Sequence, residues 1–147
     1  MRPENGRTYT LTSMSSGKAA DVRDASTADG AAVIQYTPAD AANQKWRLTD
    51  TGSGTLTLAA AHSGKCLEVP AGSTGADGAG IRQWGCSTGT NQQWRFESVG
   101  PDVYRLVSAG GKCLDVPGAS TADGVQLIQW TCSTTAANQK WRLALAE

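Results

Sequence analysis

A chain of 147 residues is long enough for one domain with a buried core. Its 13 Lys and Arg residues balance 13 Asp and Glu residues, whereas a nucleic-acid binder needs a basic excess on one face. No apolar run approaches the ~20 residues that cross a bilayer, so neither nucleic acid nor a membrane span is expected. Short alternating stretches between turn signals, and few amphipathic helix candidates, point to an all-β domain.

Three copies of one unit fill the chain, at about 7–50, 54–98 and 101–145. In chain order, each opens on a strand near Tyr9, Leu56 or Tyr104. A second strand carries Gly17-Lys18-Ala19-Ala20-Asp21-Val22, Gly64-Lys65-Cys66-Leu67-Glu68-Val69 or Gly111-Lys112-Cys113-Leu114-Asp115-Val116. Next come Asp29-Gly30, Asp77-Gly78 and Asp123-Gly124, a tight-turn signal because Gly accepts positive φ. A third strand leads to Tyr36, Trp84 or Trp130. The fourth holds Asn43-Gln44-Lys45-Trp46, Asn91-Gln92-Gln93-Trp94 or Asn138-Gln139-Lys140-Trp141. Three units are too few for a propeller, and the terminal units keep the full pattern that an open solenoid would modify. Twelve strands closed with pseudo-threefold symmetry, a β-trefoil, satisfy the pattern as a single domain over 1–147.

Strand alternation then assigns faces. Trp46, Trp94 and Trp141 go to the core with Gln44, Gln92 and Gln139, whose buried amides need backbone partners. Asn43, Asn91 and Asn138 face outward. Leu67 and Val69 face the core, as do Leu114 and Val116, which turns Glu68 and Asp115 outward with Cys66 and Cys113. Four cysteines allow three connectivities. Pairing equivalent positions, Cys66 with Cys86 and Cys113 with Cys132, is favoured. Repeat one has Ala19 and Pro38 at the corresponding places, so both members are lost together. Each loop of about 20 residues contributes roughly 3 kcal/mol in the chain-entropy model. No C-x₂-C spacing favours zinc, and no metal or other cofactor is expected. Disulfides imply an oxidising, extracellular setting. No secretory signal is visible at Met1-Arg2-Pro3, so the sequence is expected to be a mature or excised piece, with Met1 an added start.

Each repeat thus offers an acid, an aromatic and an amide on one patch: Asp21, Tyr36 and Asn43; Glu68, Trp84 and Asn91; Asp115, Trp130 and Asn138. The trio suits a sugar. A carboxylate accepts from neighbouring hydroxyls, an amide donates and accepts, and a ring covers the C–H face of a pyranose. Turn residues account for an isolated Asp or Asn, but an outward aromatic ring has no folding benefit. Two carboxylates of a glycosidase sit ~5–9 Å apart, whereas these acids occupy equivalent places in separate repeats. His62 has no equivalent in the other repeats and reads as a surface loop residue. A β-trefoil protein-binding or inhibitor module is the alternative, although it needs no such repeated trio.

Gly-Lys-Cys-Leu-Asp-Val, Ala-Asp-Gly, Ile-Gln-Trp-x-Cys and Asn-Gln-x-Trp resemble the repeat of ricin B-type lectins. They are particularly similar to family 13 carbohydrate-binding modules of secreted glycoside hydrolases. The resemblance covers nearly the whole chain. It implies a non-catalytic β-trefoil with up to three shallow sites for galactose-, arabinose- or xylose-containing glycans. It also implies a covalently attached catalytic domain in the full-length protein; a monomer is expected. The family's acid falls on Asp21, Glu68 and Asp115, its stacking ring on Tyr36, Trp84 and Trp130, and its amide on Asn43, Asn91 and Asn138. The Gln that often stands two residues before the ring is replaced by Ile34, Arg82 and Ile128, with Gln35, Gln83 and Gln129 one place later. Glu68 is a methylene longer than Asp, and repeat two has an extra residue between acid and ring, so site two ranks below sites one and three. Repeat one lacks a disulfide, so a looser pocket is expected there. An extra residue before Asn138 is expected to shift that amide.

Overall fold

The computed structural model describes residues 3–147, so the reading of Met1 as an added start lies outside the described residues. Repeat one contributes β1 (Thr8–Ser13), β2 (Ala19–Val22), β3 (Val33–Tyr36) and β4 (Trp46–Asp50). Repeat two contributes β5 (Leu56–Ala60), β6 (Cys66–Glu68), β7 (Arg82–Trp84) and β8 (Trp94–Gly100). Repeat three contributes β9 (Val103–Ser108), β10 (Lys112–Asp115), β11 (Ile128–Thr131) and β12 (Trp141–Leu145). No helix among the described residues is long and apolar enough to cross a membrane.

The pairings close. The outer strands of each repeat form a six-stranded antiparallel ring in the order β1, β4, β5, β8, β9, β12 and back to β1. The inner strands form three hairpins, β2–β3, β6–β7 and β10–β11, each hung on the ring by its first strand. This is a β-trefoil. The hairpins meet on the pseudo-threefold axis in a triangle of backbone bonds: Val33 N–H donates to Ile81 O, Ile81 N–H to Leu127 O, and Leu127 N–H to Val33 O, at 2.9–3.0 Å.

Trp46, Trp94 and Trp141 are fully buried in the common core. Each indole N–H donates at 3.1 Å to a carbonyl on the inner hairpin of its own repeat: Ala20, Leu67 and Leu114. A buried N–H needs such a partner. These three carbonyls belong to the residues just before Asp21, Glu68 and Asp115, so each core Trp pins the strand that carries an acid.

The disulfides are Cys66–Cys86 and Cys113–Cys132, and no described cysteine is free.

Two sequence expectations about faces change. Alternation does not hold through Asn-Gln-x-Trp, because Ala42–Gln44, Thr90–Gln92 and Ala137–Gln139 form 3-10 turns and the strand starts only at Trp. The acids lie on the side away from the core but are not exposed there: Asp21, Glu68 and Asp115 are buried along with their core-facing neighbours. The inner hairpin is covered on both sides, by the core on one and by the 3-10 turn on the other.

The repeats are locked to one another through motifs that look purely local in sequence. Each Asp-Gly acid reaches the next repeat. Asp29 accepts from Lys65 Nζ at 3.0 Å and Gly85 N–H at 2.9 Å. Asp77 accepts from Thr131 N–H at 2.7 Å and pairs with Lys112 at 3.3 Å. Asp123 accepts from Thr37 N–H at 2.8 Å and pairs with Lys18 at 3.2 Å. In the reverse direction, the fully buried Gln35, Gln83 and Gln129 donate to carbonyls of the preceding repeat's loop: Ser120 and Ala122; Ser26 and Ala28; Ser73, Thr74 and Ala76. His62 joins this seam. It lies in the turn at 61–63, half-buried: its Nε2 is 2.8 Å from Ser26 O and its Nδ1 has no partner among the described residues.

The extra residue of repeat two is absorbed at one such seam. It brings Thr74 O to the place that a Cβ on Gly110 would occupy, 1.7 Å from that position. The equivalent residues in the other repeats are Ser16 and Ser63, whose hydroxyls donate to Gln35 and Gln83 at 2.8 Å. Gln129 takes its bond from Ser108 instead, at 2.7 Å. Gly110 is therefore a steric requirement.

Candidate functional site

The inner hairpins set the register of the candidate sites. Asp21 lies opposite Ile34 and Ala19 opposite Tyr36; Glu68 lies opposite Arg82 and Cys66 opposite Trp84. In the third hairpin Asp115 lies opposite Ile128 and Cys113 opposite Trp130. Residues directly opposite project to the same side. Each acid, the residue across from it and the ring two positions later therefore line one depression.

The nine residues do assemble by repeat. Tyr36, Trp84 and Trp130 are 45%, 40% and 47% exposed, while their acids lie beneath at 5%, 3% and 5%. The depressions have volumes of about 260, 370 and 480 Å³ for repeats one, two and three. A larger hollow of about 640 Å³ lies around Asp50, Leu56 and Phe96 and contains none of the nine. Repeat one, without a disulfide, has the smallest of the three depressions. The rings of repeats two and three are backed by the preceding repeat: a Cβ on Gly30 would touch Trp84 at 3.5 Å, and one on Gly78 would touch Trp130 at 3.7 Å. Gly124 has no such neighbour, so Tyr36 is not backed in the same way.

The amides line the same depressions and bond the acids. Asn43 donates both its N–H groups internally, to Asp21 Oδ1 at 3.1 Å and Val22 O at 3.0 Å. Asn138 donates to Asp115 Oδ1 at 3.3 Å and Val116 O at 3.0 Å, so the extra residue before it does not displace it. Asn91 donates to Glu68 Oε1 at 3.3 Å and Val69 O at 2.9 Å. The three amides hold the carboxylates in place, leaving only their carbonyl oxygens to face a ligand.

Gln44, Gln92 and Gln139 are expected to bond backbone. They do bond the carbonyls of Thr37, Gly85 and Thr131 at 3.0 Å, but their second N–H goes to the acid. Gln44 reaches Asp21 Oδ2 at 2.8 Å and Gln139 reaches Asp115 Oδ2 at 2.9 Å. The Gln-x-Trp motif is thus both core and site: the Trp pins the strand and the Gln orients the carboxylate.

A carboxylate offers about four acceptor positions. Asp21 and Asp115 each use one per oxygen, keeping room on both. Burial pushes both carboxyls above the ordinary aspartate range, opposed by the Gln and Asn hydrogen bonds. Glu68 differs. Gln92 donates to Oε1 at 3.0 Å alongside Asn91, and Arg82 Nε donates to Oε2 at 2.8 Å. The Arg82 guanidinium also lies 4.6 Å from the Trp84 ring centroid. The extra methylene of Glu68 carries the carboxylate to the arginine that stands where repeats one and three have isoleucine. Only the substitution of Ile by Arg at this place signalled the contact in the sequence.

The family model of the ricin-type β-trefoil lectin domain matches residues 7–141. A comparison with curated protein sequences found no match. Among solved structures, the designed threefold-symmetric protein ThreeFoil is 48% identical with a TM-score of 0.89, over 93% of this chain and 97% of that one. The exo-β-1,3-galactanase 1,3Gal43A from Clostridium thermocellum is 34% identical with a TM-score of 0.89, over 99% of this chain and 31% of that one. The chain therefore spans about a third of the galactanase. The ricin B-like lectin of Macrolepiota procera, solved with lactose, is 22% identical with a TM-score of 0.84, over 99% of each chain, a likeness of fold.

Proposed function

The chain belongs to the ricin-type β-trefoil lectin family, and we propose from this premise that it is a non-catalytic, multivalent carbohydrate-binding domain. The observation that carries the proposal is the exposed ring above a buried, amide-oriented carboxylate, built three times on the same hairpin. The ring stacks on the C–H face of a pyranose while the carboxylate accepts from adjacent hydroxyls. Asp21, Tyr36, Asp115 and Trp130 form the two stronger sites. Glu68 and Trp84 form the third, and Asn43, Asn91 and Asn138 act chiefly by fixing the acids. Galactose-, arabinose- or xylose-containing glycans are the ligands. Likeness to one part of an exo-β-1,3-galactanase supports galactose-containing polymers and attachment to a secreted glycoside hydrolase. The two disulfides support an extracellular setting.

A shallow site with one ring and a few hydrogen bonds binds weakly, on the order of 0.1–1 mM or roughly 4–5 kcal/mol. Several sites on one polymer compensate through effective concentration. Calorimetric titration of the domain with galactose, lactose, arabinose and xylo-oligosaccharides tests the reading. Binding is expected in the natural chain and is lost in Asp21→Asn/Glu68→Gln/Asp115→Asn. Unchanged binding in that variant overturns the assignment of the sites.

A further inference from the structure

We propose that the second site selects an acidic sugar, a pyranose bearing a carboxylate, while the first and third select neutral ones. The inference rests on the carbohydrate-binding reading and concerns how its three sites divide the ligands.

The argument begins with charge. The first depression is lined by two carboxylates, Asp21 and Asp24, and no cation. The third is lined by Asp115, again with no cation. An anionic ligand entering either meets an uncompensated negative group at short range. The second is lined by Glu68 and Arg82 in direct contact, so its charge is balanced before a ligand arrives. Lys18, Lys65 and Lys112 do not distinguish the sites, because each is paired with an Asp-Gly carboxylate at the same place in its repeat.

Donor inventory points the same way. Arg82 uses only Nε on Glu68, and its two terminal nitrogens make no bond among the described residues. A guanidinium presents its donors as a planar fork that matches a carboxylate in two parallel bonds. Glu68 on one side and the face of the Trp84 ring that the guanidinium lies over hold that fork, and the Arg82 side chain remains 29% exposed. The arginine does not plug the site: the depression is larger than that of repeat one, and Trp84 stays nearly as exposed as Tyr36 and Trp130. Glu68 meanwhile has lost acceptor capacity to Arg82, which makes it the poorest of the three acids for neutral hydroxyls. A uronate seated in this depression with its carboxylate on the guanidinium uses what this site has and the others lack.

The test uses the whole domain and the indole N–H signals of Trp84 and Trp130, followed by NMR during titration with methyl galactopyranoside, methyl galacturonate glycoside and the methyl ester of the latter. The free acid is expected to bind at Trp84 about 10-fold more tightly than its ester, which lacks the charge. That preference shrinks with added salt. In Arg82→Ile, which places the residue of the sister repeats opposite Glu68, the preference disappears. Equal affinity of acid and ester at Trp84, or no response of Trp84 to the acid, overturns the proposal. In either case a response of Trp130 to the neutral glycoside leaves the general function standing, whereas silence of both indoles to every sugar removes binding from the second and third sites.

Discussion

Repeats three and two use one hairpin, one core tryptophan and one disulfide each, yet arrive at different chemistry. In repeat three, Ile128 lies opposite Asp115, and the carboxylate has only amides for company. In repeat two, Arg82 lies opposite Glu68, and the acid is drawn into an ion pair. The longer acid and the arginine make sense together: the extra methylene is what lets the carboxylate meet Arg82 while still accepting from Asn91 and Gln92. The scaffold therefore tolerates a change of site chemistry at two facing positions without a change of fold. The inserted residue in repeat two is tolerated for a separate reason, which is Gly110 in repeat three.

That last dependence gives the largest expected effect. Gly110→Ala drives a Cβ into Thr74 O and should destabilise the domain by about 3 kcal/mol or more. Shortening the 70–77 loop by one residue, to the length of its sisters, should restore much of the loss; thermal unfolding of the two variants checks this. Next, Cys113→Ala/Cys132→Ala should cost about 3 kcal/mol in denaturant unfolding. Repeat one shows that the local fold needs no such bond, so the unfolded variant should still refold cooperatively. A smaller effect is read on binding. Asp115→Asn should weaken sugar binding seen at Trp130 about 10-fold.

The smallest effect is a displacement on the pH axis. Asp21 and Asp115 have raised carboxyl pKa values, first because of burial, so each contributes stability when protonated that is lost as pH rises through its folded value. As ligands they behave in the opposite sense, and sugar binding falls as pH drops through that same raised value. Asp29 has a lowered pKa, chiefly from the Lys65 hydrogen bond. For Asp77 and Asp123, burial raises the value but bonds from Thr131 and Lys112, or Thr37 and Lys18, outweigh it. Their contribution is present above the ordinary value of 3.8 and is lost as pH falls through their lower folded values. An acid titration should thus weaken binding at the first and third sites while circular dichroism still reports the native fold. Simultaneous loss of both signals contradicts the assignment.

Much of this was legible in the sequence. The recurrence of Gln-x-Trp gave the repeat length and the core tryptophans. The shared absence of two cysteines in repeat one gave the disulfide partners, and the recurring acid–ring pairs gave the candidate sites. Two kinds of information were not legible. Alternation was carried into residues 42–44, 90–92 and 137–139, where a 3-10 turn breaks it, so Asn43, Asn91 and Asn138 were assigned to the ligand rather than to the acids. The seams between repeats were also hidden. Gln35 bonds a loop more than 80 residues away, and Asp29 bonds Lys65 and Gly85, contacts that no local pattern contains. Their threefold recurrence was visible, but it fits a turn or a strand as well as a seam.

The ring of seams has a consequence for the order of the chain itself. Each repeat lends a loop to the next, and repeat three lends its loop to repeat one through Asp123 and Thr37. The first and last strands are neighbours, with Tyr9 opposite Leu145 and Arg7 bonded to Glu147 at 2.7 Å. Nothing in this arrangement marks a first repeat. A chain joined across β1 and β12 and opened instead at the turn around Gly52 and Gly54 keeps every seam, every disulfide and every candidate site. In such a permuted molecule the three sites trade places along the polypeptide while keeping their places in space, so their division of ligands belongs to the ring and not to the sequence in which it is read.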